Sequence, residues 1–82
     1  MQDRSPVAEG EEHRETVILT LLLEPGGPWL WSVQELAREL GDATDAADAV
    51  ARLHAAGLVH RCHEFVFATR PAAHFARLIG GL

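Results

Sequence analysis

Apolar residues fall along this chain in separate blocks, and the spacing within each block predicts an element. The first block is "TVILTLLLE", from Thr16 to Glu24. Val17, Ile18, Leu21 and Leu22 lie on one side of a helix, at i, i+1, i+4 and i+5. Leu19 and Leu23 form a second apolar face, so the helix is covered on two sides. Glu11, Glu12 and Glu15 crowd its start, where negative charge suits the helix dipole. Together they predict a helix from about Glu11 to Leu23. "EPGGP" then breaks it, because Pro25 and Pro28 cannot continue a helix and the glycines permit a turn. Ahead of it, "MQDRSPVAEG" is polar with Pro and Gly and reads as a disordered tail over residues 1–10.

The second block opens with "WLWS", long enough only for a brief extended segment around Trp31. "SVQE" is S-x-x-E, a capping box in which Ser32 and Glu35 each satisfy a free backbone N–H. A second helix therefore starts at Val33, buries Val33, Leu36, Ala37 and Leu40, and closes at Gly41. Asp42 is suited to cap a third helix, whose inward stripe is Ala46, Val50 and Leu53, with Ala49 nearby. Gly57 stops it at the left-handed position that favours glycine. "LVHRC" and "FVFAT" are β-prone runs joined through His63 and Glu64, a short hairpin without an Asn-Gly turn signal. Phe65 and Phe67 share one face of its second strand and Val66 points the other way. Thr69 or Arg70 then caps a final helix, with Pro71 in its first turn and Ala72, Phe75, Leu78 and Ile79 on one apolar stripe.

Composition changes this picture in two respects. Eighty-two residues allow one domain with a small core, and a single cysteine, Cys62, leaves no disulfide framework to support it. Dimerisation is the expected source of extra stability. No apolar run approaches a membrane span, and the first residues lack the apolar core of a signal peptide. A cytoplasmic protein with no membrane partner is the expectation, and the alanine-rich, lysine-free composition suggests a GC-rich bacterial genome. The net charge of −5 conceals an asymmetry. Residues 1–48 hold eleven acids and three arginines; residues 49–82 hold one acid, Glu64, and four arginines.

The order helix, extended segment, helix, tight turn, helix, hairpin, helix carries a resemblance. "SVQELARELG" followed by "DATDAADAVARLHAAGLVHR" resembles the winged helix-turn-helix domain of bacterial transcription regulators, over residues 11–70. The residues that carry it are Glu35, Leu36, Ala37, Leu40 and Gly41, then Leu53, Gly57, Leu58 and Val59. The resemblance implies an α+β fold, mainly α with a small β wing, and one domain over residues 11–82 that includes a C-terminal helix. It also implies DNA in contact with the third helix and the wing, which gives Thr44, Arg52, Arg61, His63 and Arg70 as candidate DNA-binding residues. The sequence departs from the family at the start of the third helix, where Asp42, Asp45 and Asp48 stand and phosphate binding needs cations. An Asp accepts from cytosine N4, but a cap at Asp42 and an i, i+4 pair of Asp48 with Arg52 account for two of these acids structurally. The turn before that helix is one residue shorter than usual, and a common leucine after Gly41 is missing.

Other chemistry finds little support. His60, Cys62 and His63 are close in sequence, but one cysteine and scattered histidines do not make paired zinc-ligand spacings. "EPGGP" has neither the spacing nor the Lys of a phosphate loop, and Ser32 is taken by its cap. No enzyme, metal or cofactor is expected. Two readings stay open: a small regulator-like protein that binds double-stranded DNA through the wing and arginines, or a winged-helix module whose acidic third helix binds another protein instead. A continuous basic stripe across Arg52, Arg61 and Arg70 favours the first, and arginines paired to acids favour the second. The candidate partner surface comprises Leu19, Leu23, Trp29, Phe75, Leu78 and Ile79, through which a symmetric homodimer is expected, with folding back of the last helix within one chain as the rival.

Overall fold

Caps and turns set the frame. In a computed structural model describing residues 6–28 and 30–80, the chain forms α1 (Pro6–Leu22), β1 (Trp31–Ser32), α2 (Val33–Leu40), α3 (Ala43–Ala55), β2 (Val59–Cys62), β3 (Phe65–Ala68) and α4 (Arg70–Gly80). The architecture is mainly helical with a small three-stranded antiparallel sheet. Ser32 starts α2 with the expected capping box: its hydroxyl accepts from the Glu35 N–H at 3.1 Å, and the Glu35 carboxylate accepts from the Ser32 N–H at 2.9 Å. Gly41 ends α2 at φ 83°, in the left-handed region. Asp42 caps α3 by accepting from the Asp45 N–H at 2.9 Å.

Gly57, at φ 79°, turns the chain out of α3. Its N–H donates to the His54 carbonyl and the Leu58 N–H donates to the Leu53 carbonyl, the paired bonds of a Schellman ending. Leu58 packs against the core at the same place. This directs β2 straight onto β3, with Val59 opposite Ala68 and Cys62 opposite Phe65. His63 and Glu64 make the two-residue loop, and His63 adopts φ 58°. β1 pairs on the other side of β3, with Trp31 opposite Val66, so the sheet order is β1-β3-β2. A further bond, from the Val33 N–H to the Glu64 carbonyl at 2.8 Å, ties the start of α2 to the hairpin loop.

The core lies where three helices meet one face of this sheet. Ile18 and Leu22 come from α1, Leu36 from α2, Ala49, Val50 and Leu53 from α3, Val59 from β2 and Val66 from β3. Trp31, Leu19 and Leu21 are half-buried against it. On β3, Val66 is the inward residue, while Phe65 is exposed.

One boundary needs correction. α1 begins at Pro6 rather than Glu11, so residues 6–10, read as tail, are helical; residues 1–5 lie outside the described residues. Proline is accepted in a first turn because its missing N–H would have no helical partner there. The acids at 11, 12 and 15 therefore sit inside α1 and need another reason to be there. The rival in which the last helix folds its whole apolar stripe back onto its own chain is not what α4 does. Ala72 is buried, but Phe75, Leu78 and Ile79 are 63%, 57% and 54% exposed. No helix among the described residues is long and apolar enough to cross a membrane.

Candidate functional site

The acids inside α1 answer to the bases of α3. Arg52 directs its Nε to Glu15 at 3.3 Å and its Nη1 to Glu11 at 3.4 Å. The pairing runs the other way two turns earlier in α3, where Asp45 accepts from Arg14 Nε at 3.2 Å. α1 and α3 are thus laced by two sets of opposite charges, with an acid and a base contributed by each helix. All of these side chains are partly shielded, with Arg52 at 31% and Glu15 at 26% exposure. Charges so placed are screened less by salt than those in open solvent.

This arrangement explains two of the three carboxylates at the start of α3. Asp42 caps the helix, and Asp45 holds Arg14. Asp48 is exposed and does not pair with Arg52 as its i, i+4 spacing predicted. Arg52 takes α1 partners instead: two carboxylates one helical turn apart accept from its Nε and Nη1, while its Nη2 is buried without a hydrogen-bond partner among the described residues. Sequence reading missed those partners because they lie roughly forty positions away and no local spacing signals them. The outward face of α3 carries Thr44, Ala47, Asp48, Ala51 and His54, all exposed. It presents no arginine.

The remaining candidate DNA-binding residues sit on and after the hairpin. Arg61 is exposed on β2, His63 is exposed in the loop, and Arg70 is exposed at the first residue of α4. Neither Arg61 nor Arg70 is ion-paired to a described residue. Arg52, half-buried against α1, is separated from them in character: its charge is already neutralised. Cys62 is a free, exposed thiol, and the His60 ring lies against Phe67 with centroids 5.2 Å apart. Among the described residues, no group of three or more His, Cys, Asp or Glu is placed to hold a metal ion.

A second constellation lies on the opposite side of α1. Leu19 and Leu23, with Thr16 and Thr20, form one wall of a groove of about 600 Å³. Leu58 and, from α4, Ala72, Phe75 and Ile79 are among the residues that line the remainder. A second groove of about 600 Å³ runs along the other flank of α4, between Leu22, Phe67, Ala73 and Arg77. The structure therefore brings four of the candidate interface residues, Leu19, Leu23, Phe75 and Ile79, to one apolar groove. Leu78 stands beside it in solvent, and Trp29 lies outside the described residues. Trp31 packs half-buried against the core, and its Nε1 is buried without a hydrogen-bond partner among the described residues.

No family model matches the chain, and neither the curated proteins nor the solved structures contain a match to it.

Proposed function

We propose that this chain is a winged-helix module that binds another protein, with α3 in the place of a DNA-reading helix but no longer suited to that use. Support for the winged-helix reading comes from the order α1, β1, α2, α3, hairpin, and from β1 lying beside β3. The observation that carries the functional reading is the pairing of Arg52 with Glu11 and Glu15. DNA affinity comes from cations that release counterions from phosphates. Arg52 is the one arginine of α3, and its charge is spent on α1. What α3 offers outward is alanine, Thr44, His54 and the carboxylate of Asp48, which repels a polyanion. The apolar groove beside α4 is the surface with something to gain from a protein partner.

Selection from a random pool of duplex DNA at physiological salt tests this. No enriched sequence is expected, with only weak, salt-sensitive retention. An enriched sequence bound in the nanomolar range overturns the reading.

One observation favours DNA as the second reading. Arg61 and Arg70 are exposed beside the hairpin and the start of α4, with no ion pair to a described residue. They suit phosphates approached from the wing side. In that case Arg61→Ala weakens binding to all sequences alike and reduces the salt slope by about one.

A further inference from the structure

We propose that α4 is a surface-binding helix for an anionic lipid bilayer, with the ridge of Phe75, Leu78 and Ile79 set into the headgroup layer. This role goes beyond the protein-binding reading above and does not depend on it.

α4 is turned the wrong way round for a core helix. Its more buried residues are Ala72, Ala73 and Ala76, at i, i+1 and i+4 on one side. Its three large apolar side chains, Phe75, Leu78 and Ile79, stand at i, i+3 and i+4, each more than half exposed. The buried Thr69 ties the first turn to the body in this orientation, its carbonyl accepting from the Ala73 N–H at 3.0 Å.

Bases border the ridge. Arg70, His74 and Arg77 are spaced i, i+4 and i+7, form a flank of their own and are exposed. His74 lies four residues before Leu78, so this flank adjoins the ridge. α4 contains no acid, and neither of its arginines is ion-paired to a described residue. Glu24 lines the two grooves between α4 and the body, which places it behind the ridge. Large apolar side chains beside a strip of bases are what a helix lying in a bilayer surface uses, the first for the acyl boundary and the second for anionic headgroups.

Shape separates this surface from the groove. The groove offers walls to an inserted side chain, which suits a protein. The ridge protrudes, and a fluid bilayer accepts it without a matching shape. Lying in a bilayer surface requires neither a spanning helix nor a leader segment. The net charge of −5 opposes an anionic surface at long range, but salt screens that repulsion beyond about 8 Å at physiological strength. Arg70 and Arg77 meet the headgroups at contact.

Flotation of the whole chain with lipid vesicles at physiological salt is the test. The wild type is expected to float with vesicles of equal parts phosphatidylcholine and phosphatidylglycerol, and to stay behind with phosphatidylcholine alone. Phe75→Ser combined with Leu78→Ser removes apolar surface without adding charge and is expected to abolish flotation. Both residues stand mainly in solvent, so the core stays intact and the far-ultraviolet circular dichroism is unchanged. Arg77→Gln is expected to lower partitioning about fivefold. A wild type left behind by both kinds of vesicle overturns the proposal and returns the ridge to a protein, a second copy included. Equal flotation with both kinds overturns it by removing the role of the bases. A double serine variant that floats like the wild type overturns it by removing the role of the ridge. The DNA selection is a separate matter: an enriched DNA sequence overturns the functional reading and leaves this one standing.

Discussion

The Thr69 hydroxyl serves two segments of backbone at once. It donates to the Gly57 carbonyl at 2.9 Å and accepts from the Ala72 N–H at 3.4 Å. Thr69 is buried, so water cannot replace either bond. It joins the end of α3 to the start of α4 across the base of the hairpin. Thr69→Val keeps the shape and removes both bonds, and we expect a loss of about 1–3 kcal/mol in urea unfolding. Gly57 is the other residue on which this corner depends. A Cβ there meets no atom within 4 Å, so the strain of Gly57→Ala at φ 79° lies in the backbone alone. A cost of about 1–2 kcal/mol is expected. His63 shows the same physics reversed: a non-glycine residue at φ 58° makes His63→Gly a stabilising change, raising the urea midpoint. A lower midpoint would show that the imidazole contributes more to the loop than its backbone costs.

At the scale of elements, the notable contact is between α1 and α3. Its two ion-pair sets are partly exposed, which limits each to a modest contribution. Glu11→Gln with Glu15→Gln leaves Arg52 half-buried without a carboxylate, and roughly 1 kcal/mol of destabilisation is expected, smaller in high salt. If stability were unchanged at low salt, the pairs would be bystanders to apolar packing. This contact also shows where sequence reading reaches its limit. The Ser32 and Asp42 caps, the Gly57 stop and the hairpin loop at His63 and Glu64 were legible, because each depends on residues a few positions apart. The partnership of Arg52 was not. Periodicity offered Asp48, four residues before it, and the chain used Glu11 and Glu15 from a distant helix. The start of α1 was misjudged for the same reason: acids recruited by α3 resembled acids recruited by a helix terminus. The exposure of Phe75, Leu78 and Ile79 was equally hidden, since an apolar stripe does not reveal what covers it.

The whole molecule has a core that is small for the number of elements it must hold. Eight residues form its central cluster, and two of them are an alanine and a lone α2 leucine. Each large one therefore carries a substantial share of the stability. Leu53, 1% exposed, comes from the helix that touches α1, α2 and β2. Leu53→Ala is expected to cost about 3 kcal/mol, and thermal unfolding of the variant should begin near ambient temperature, given the narrow margin of so short a chain. A cost below about 1 kcal/mol would mean that the site collapses around the smaller side chain.

The pairing of Trp31 with Val66 has a kinetic consequence. β2 and β3 are neighbours in sequence and close through a two-residue loop, and α2 and α3 are joined by a tight turn. β1, by contrast, reaches across both helices to find β3. Loop-closure entropy makes such a distant contact late. β1 is then the last strand to join during folding and the first to leave during unfolding. Removing its anchor, as in Trp31→Ala, should accelerate unfolding while leaving the refolding rate nearly unchanged, so that the chevron shifts along one limb only.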